Sequence, residues 1–427
     1  MKEELLHFIW QYRRFSYTPL TLVNNSEIQI LKVGQINSNS GPDFLNSKIN
    51  LNGLIWVGST EIHLKSSDWN KHKHKHKHHL DKSYNGVVLH VVWENDIAIF
   101  NQLGEEIPTL VLADYVEPGI IDKIEALMSS QKWIPCQKLF PSVDPFILVQ
   151  FLERIFIERL ELKSKKVAQL LNDNRNSWDD VFYQLLCESF GLKVNSTPMM
   201  QLSKLLPFKI LLKHKDNITQ LEALMFGVSG FLKEPQDKYS AMLAKEFDFL
   251  KKKYQLVEVD LASWKFLRMR PNSFPTVRIA QLAALIYDND RLFSKLLNFE
   301  NIKEIENVFS STASDYWSNH YSFNKSSLFS CKKIGKQLVH NVIINSLVPL
   351  LVLYSKEKQD YSYQERAISL MHALAPEKNS CVTRFNKLGF KSKNAAQSQS
   401  FLHLKKHYCD KKKCLSCNIG NHLMNEC

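Results

Sequence analysis

Apolar and polar positions follow two different rhythms along this chain. Residues 3 to 14 place Leu5, Leu6, Ile9 and Trp10 on one side of a helix. After that the period shortens to two. Leu20 to Val23 and Glu27 to Val33 predict a hairpin turning at Asn24-Asn25. Phe44 to Leu51 and the alternating segment through Trp56 to Lys65 predict a second hairpin, closed at Asn52-Gly53. Val87 to Glu94, Ile97 to Phe100 and Thr109 to Leu112 continue the sheet, and Val116-Glu117-Pro118-Gly119 breaks it.

From there to about residue 405 the period is helical. A helix runs to Met128, followed by Phe146–Leu171, Trp178–Phe190, Met199–His214, Ile218–Phe231 and Asp237–Tyr254. Residues 305 to 330 are rich in Ser and Asn and predict a loop or short helices. Gly335 to Tyr354 predicts a buried helix with Asn341 and Asn345 on one face, satisfying each other or a neighbouring backbone. Ser400 to His407 predicts a final helix. The fold class is α+β: a β-rich mixed α/β domain over 1–115, an all-α domain over 116–405, and a Cys-rich tail over 406–427.

The chemistry concentrates between Gly41 and Val92. Strand side chains alternate faces, so Glu61, His63 and Lys65 project together with roughly 7 Å between neighbours. Ile62 and Leu64 take the opposite, buried face. Three polar groups on one strand face are costly unless that face meets water, a metal or a substrate. Counting outward from Asn52-Gly53 brings Asp43, just before the partner strand, towards Glu61. Two carboxylates converging beside a lysine or histidine suit Mg²⁺ or Mn²⁺ and an activated water. Glu3 and Glu4 read first as a solvated helix start, with an acid that the first helix brings near this pair as the alternative. A lone histidine in an apolar strand, as His90 is, reads as a hydrogen-bonded core residue.

Pro42-Asp43 followed by Glu61-Ile62-His63 resembles the PD-(D/E)XK nuclease superfamily, in which an Asp opens one strand and an acidic-X-Lys triplet lies on the next. The resemblance covers residues 40 to 93. It implies a nuclease-like domain in which Asp43 and Glu61 hold the metal, helped by the Ile62 carbonyl. Histidine stands where that superfamily has lysine, so His63, Lys65 or Lys48 would supply the remaining role. The whole chain also resembles an uncharacterised bacterial family known only as a domain of unknown function. That likeness rests on Gly41-Pro42-Asp43-Phe44, Glu61-Ile62-His63, Asp68-Trp69, Leu89-His90-Val91-Val92 and Cys414-Leu415-Ser416-Cys417-Asn418-Ile419-Gly420.

Charge adds a partner class. The formal net charge is +12, from 55 Lys and Arg against 43 Asp and Glu. Such a balance favours nucleic acid. Lys71 to His79 is a near-strict Lys-His alternation, read as a cationic surface loop with His78 and His79, beside Asp81, as its metal-binding pair. Arg268, Arg270 and Arg278 flank Pro271 and Pro275 ahead of a helix, an arrangement that suits phosphate or a buried carboxylate. The helix candidate Val342 to Tyr354 is interrupted by Asn345, Ser346 and Pro349, so no membrane span is expected. Two acids at Glu3-Glu4 argue against a secretory leader and for a cytoplasmic protein.

Four of the eight cysteines lie in the last nineteen residues. Cys409, Cys414 and Cys417 place three thiolates around one centre, either zinc or an iron-sulfur cluster. Cys427, His422 and Cys136 are candidates for the fourth ligand. Cys136 is preferred, because it lets the tail close on an interdomain residue. Iron-sulfur members of the resembled superfamily carry a comparable cluster. The sequence therefore points to a metal-dependent nuclease or nuclease-derived nucleic-acid-processing protein. The alternative is a non-catalytic nucleic-acid-binding or sensor protein with a structural metal centre.

Overall fold

Glycine and asparagine at one turn set the register on which the N-terminal sheet depends. Asn52 and Gly53 both take left-handed φ values, 52° and 83°. Two such residues make the mirror-image turn whose twist matches antiparallel strands. They join β4 (Phe44–Leu51) to β5 (Leu54–Lys65), paired from Leu51↔Leu54 outward to Phe44↔Thr60 across one register shift. The computed structural model describes residues 2–16, 19–37, 39–70, 82–289, 291–299 and 301–425. The Lys71–His79 run, with its His78 and His79, lies outside the described residues, as does Cys427.

The remaining strands are β1 (Leu20–Thr21), β2 (Glu27–Lys32), β3 (Gln35–Ile36), β6 (Val87–Glu94) and β7 (Thr109–Val111). The sheet runs β1-β2-β4-β5-β6-β7, with β3 pairing β4. Its β1 to β5 half is antiparallel, whereas β6 runs parallel to β5 and β7 parallel to β6. Residues 97–100 do not join it: Phe100 makes only an isolated bridge to Glu106. Ile99 is instead buried in a small cluster with Trp69, Val87 and Ile107. An apolar run this short is equally good as a strand or as a core-filling loop.

Helix α1 spans Glu3–Gln11, one turn shorter than its hydrophobic pattern predicts, because the chain adopts φ 51° at Arg13. Leu5, Leu6, Phe8, Ile9 and Trp10 are buried against Phe44, Ile49, Ile62, Leu89 and Val91. Each such burial stabilises by about 1.5–3 kcal/mol. The Trp10 indole N–H donates to the Val33 carbonyl at 3.0 Å, anchoring the helix to the end of β2. Helix α2 (Ile120–Ser129) covers the same core through Ile120, Ile124 and Leu127.

The chain divides into two compact units, residues 1–148 with 407–427, and residues 149–406. The first unit thus continues past the break at 116–119 to include α2, and residues 407–427 belong to it rather than standing apart. The reason is visible in the core: Cys414 and Met424 pack with Leu127 and Ile124.

The second unit is helical, apart from a two-stranded ribbon of His320–Ser322 and Lys325–Ser326. Proline divides the stretch 199–214 into Ser196–Leu205 and Phe208–Leu212, with Pro207 between them. Asp237 caps Lys238–Tyr254 in a reciprocal arrangement with Ser240. Asn345 donates to the Asn341 side chain at 2.6 Å, the i,i+4 pairing expected of them. Lys336–Lys358 is long and apolar enough to cross a membrane by length and composition, and 78% of its apolar window is buried inside the protein. The predicted final helix begins earlier, at Ala395, and a further helix, Asn418–Asn425, follows it.

Candidate carboxylate and imidazole site

Asp43 heads β4 because the loop before it is tied down locally. Asn37 donates from its side chain to the carbonyls of Ser40 and Pro42, and its backbone N–H donates to the Asp43 carbonyl at 2.7 Å. From there Asp43 and Glu61 hold each other across the hairpin. The Asp43 N–H donates to Glu61 Oε2 at 3.0 Å, and the Ile62 N–H donates to Asp43 Oδ2 at 3.0 Å. Antiparallel pairing outward from Asn52-Gly53 brings these two acids together, as the counting predicts.

Helix α1 completes the group. One turn of helix separates Glu3 from His7, so both face the sheet on one side. His7 Nε2 lies 3.2 Å from Asp43 Oδ2 and 3.8 Å from Glu3 Oε1. Glu3, His7 and Asp43 each offer one ligand atom within 4.8 Å of the others. Burial raises the pKa of Glu61, and the Asp43 carboxylate and Glu3 raise it further, against the opposing hydrogen bond from Asp43 N–H. Burial and then Asp43 likewise raise Glu3. Burial disfavours the His7 cation, but Asp43 together with Glu3 and Glu4 outweighs it and His7 is raised overall. Glu61 and Glu3 therefore hold their protons beyond the ordinary carboxylate range, and a cation beside them would relieve that crowding.

The polar face of β5 is covered rather than wet. Glu61 is 3% exposed, His63 1% and His90 0%. Glu61 pairs in register with His90 of the parallel strand, which places His63 and His90 on one face. Their rings meet at 2.8 Å, Nδ1 of His63 to Nε2 of His90. His63 Nε2 lies 3.7 Å from Glu61 Oε1. Trp69 closes over both rings, at 6.3 Å from His63 and 5.3 Å from His90. The turn that carries Trp69 is fixed by Ser66, whose hydroxyl donates to Asp96 and accepts from the N–H groups of Asp96 and Ile97.

Lys65 is not drawn into this group: its ammonium pairs with Glu94 at 3.0 Å, at the exposed end of the strand. Lys48 is exposed on β4, opposite Val57. His63, rather than Lys65 or Lys48, is thus the residue that lies beside the Glu61 carboxylate. The apolar and polar pattern does not single out His7. The signal was its i,i+4 spacing from Glu3, on the edge of the apolar stripe.

A groove of about 1080 Å³ runs beside the site. His7 and Gln11 line it from α1, Glu125 and Met128 from α2, and Lys411 to Lys413 from the C-terminal segment. The acid cluster therefore sits beside a lysine-bearing wall within one unit.

In the helical unit, Arg268 and Arg270 are exposed, and no ion pair forms at either among the described residues. Arg278 is partly buried and has only neutral partners, Gln281 at 2.8 Å and Ser273 at 3.3 Å. Burial lowers its pKa to about 10. Its Nε has no hydrogen-bond partner.

Among the cysteines, Cys414 and Cys417 are buried, and Cys136 and Cys409 are half-buried. Burial, then the neighbouring Cys417 and Cys414, push the Cys136 thiol up to about 12. Burial and Cys417 push Cys414 up to about 12.

The fold and site define an α+β protein in which a mixed-sheet unit carries an acid-imidazole cluster and a larger helical unit follows. The chain belongs to DUF2851, a family of proteins of unknown function, whose family model matches residues 3–380. That span includes the whole acid-imidazole cluster and stops before the cysteine-rich segment. No curated protein and no solved structure matches the chain.

Proposed function

We propose that this protein is a divalent-cation-dependent phosphodiesterase acting on nucleic acid. The convergence of Asp43 and Glu61 across the β4-β5 hairpin, with Glu3 and His7 closing on them from α1, carries this reading. Oxygen ligands from Glu3 and Asp43, with Glu61 hydrogen-bonded to the Asp43 backbone beside them, fit Mg²⁺ or Mn²⁺, and the imidazole of His7 shifts the preference towards Mn²⁺. A bound cation would acidify a ligand water and offset phosphate charge. His63, held by His90 and Trp69, orients Glu61 and is placed to pass a proton at its Nε2. In hydrolysis a water oxygen bonds to phosphorus, one P–O ester bond breaks, and the leaving oxygen takes up a proton. Lys411 to Lys413 would hold the phosphate backbone along the groove. Arg268, Arg270 and Arg278 form a second anion-binding element in the helical unit.

A second reading is favoured by one observation. The triplet ends in a buried histidine, and the nearest lysine along the strand is engaged by Glu94. A site without a lysine to steady the developing phosphate charge suits binding without cleavage. Oligonucleotide cleavage with Mn²⁺, comparing wild type with Asp43→Ala and Glu61→Gln, separates the two. Metal-dependent cleavage lost in both variants is expected. Equal cleavage in all three removes the assignment. Salt-dependent binding without cleavage selects the second reading.

A further inference from the structure

The C-terminal segment folds into a turn whose form points to a metal. Cys414 to Ser416 is a single 3-10 turn, and the Cys417 N–H donates back to the Cys414 carbonyl at 3.2 Å. The Cys417 carbonyl accepts from the Asn421 N–H at 2.8 Å, so Cys417 is the residue that opens helix Asn418–Asn425. The helix approaches the turn so closely that a Cβ on Gly420 would lie 2.3 Å from the Cys414 carbonyl oxygen. Two thiols on one tight turn, with the second at a helix start, form a chelating knuckle.

A third thiol comes from far away in sequence. Cys136 opens its own turn, its carbonyl accepting from the N–H groups of Leu139 at 2.9 Å and Phe140 at 2.8 Å. Cys136 packs against the same hydrophobic core that buries Cys414. Cys409 begins the reversal that leads into the knuckle: the Lys412 N–H donates to the Cys409 carbonyl and the Lys413 N–H to the Tyr408 carbonyl. His422 is excluded as a ligand by its hydrogen bond. Its Nε2 accepts from the Asp144 N–H at 3.1 Å, so in the neutral ring Nδ1 carries the proton.

Thiols packed as small hydrophobes need no chelating turn, and here that turn shares one core with Cys136. We propose that Cys136, Cys409, Cys414 and Cys417 bind one Zn²⁺, which fastens residues 407–425 to the N-terminal unit. A closed set of four thiolates is the ligand set of a structural zinc site. It also orients the groove, because Lys411 to Lys413 lie between Cys409 and Cys414. This inference is independent of the phosphodiesterase reading.

The test is metal analysis of the full chain, purified without a tag, with the Lys71–His79 histidines replaced by alanine to remove their own metal binding. One zinc per chain is expected, released by an organomercurial that caps thiolates. Cys136→Ser, Cys414→Ser and Cys417→Ser each lose it, while Cys331→Ser retains it. Cobalt substitution of the parent protein gives a thiolate-to-metal charge-transfer band, weakened in Cys409→Ser. This spectroscopic arm stands even where a serine variant fails to fold. Absence of any metal overturns the proposal, as does zinc undiminished in the Cys414 and Cys417 variants. Iron with a visible absorption band overturns it in favour of a cluster.

Discussion

The Asp43 N–H donates to the Glu61 carboxylate at 3.0 Å, and Asp43 returns the contact by accepting the Ile62 N–H at the same distance. Each acid therefore fixes the backbone that presents the other. The pair is also held where ionisation is disfavoured, since burial and the neighbouring acid both raise Glu61. A carboxyl with a raised folded pKa contributes stability that is full below its unfolded value and is lost as pH rises through the folded one. A cation bound at the pair would reverse that loss.

Mn²⁺ is thus expected to raise the melting temperature of wild type, and more at pH 8 than at pH 6, because binding displaces a proton. At a hundredfold excess over Kd the stabilisation is about 2.7 kcal/mol. Glu61→Gln and Asp43→Asn are expected to show none of it. Thermal denaturation with and without metal checks this, and a full shift in either variant contradicts it.

His7 is the one nitrogen donor among Glu3, His7 and Asp43. His7→Ala is expected to weaken Mn²⁺ binding about tenfold and Mg²⁺ binding far less, because imidazole favours the later transition metals. Calorimetric titration of both ions distinguishes this from a general loss of fold. Equal losses for the two ions would count against a ligand role.

His63 and Lys65 compete for one role and occupy very different places. His63 is buried 3.7 Å from Glu61, whereas Lys65 pairs with Glu94 in solvent. Any Mn²⁺-dependent cleavage is expected to fall at least a hundredfold in His63→Ala, on the order of a proton-transfer contribution. Lys65→Ala is expected to stay within about twofold of wild type, as surface ion pairs are worth little. The reverse order would move the role to Lys65.

Lys411 to Lys413 line the groove beside His7. Replacing all three with alanine is expected to reduce the salt dependence of nucleic-acid binding, by up to about 2–3 in the log-log slope. Fluorescence anisotropy at several salt concentrations measures it. An unchanged slope would place the nucleic acid elsewhere, with Arg268 and Arg270 as the next positions to test.

The helical unit holds its own titrating acid. Glu222 is fully buried, and burial raises its pKa to about 7 despite hydrogen bonds from Tyr239 and Ser314. Its contribution is full below the ordinary value of 4.5 and lost as pH rises through about 7. Glu222→Gln is expected to be more stable than wild type at pH 8, by roughly 1–3 kcal/mol, and no more stable at pH 5. Denaturant unfolding at the two pH values checks the sign.

The second hairpin was readable in the sequence because its information is local. Asn52-Gly53 specifies a turn type, the turn fixes the register, and the register delivers Asp43 to Glu61. The division into a strand-rich start and a helical remainder followed from periodicity alone. The pairing of Asn341 with Asn345 followed from helical spacing. Residues 97–100 depart from the strand expected of them because a short apolar run has the same pattern in a strand as in a buried loop.

What only the tertiary structure decided are relationships between segments with no sequence spacing to connect them. Strand order placed His90 beside Glu61 and turned a core histidine into the partner of His63. The docking of α1 brought His7 onto Asp43. The packing of residues 407–425 against α2 set Cys136 and Cys414 in one core, and set three lysines along the groove. Local propensity and turn geometry are written in neighbouring residues. Parallel pairing and helix docking are chosen by the burial of distant apolar faces, and that choice appears only once the whole core is assembled.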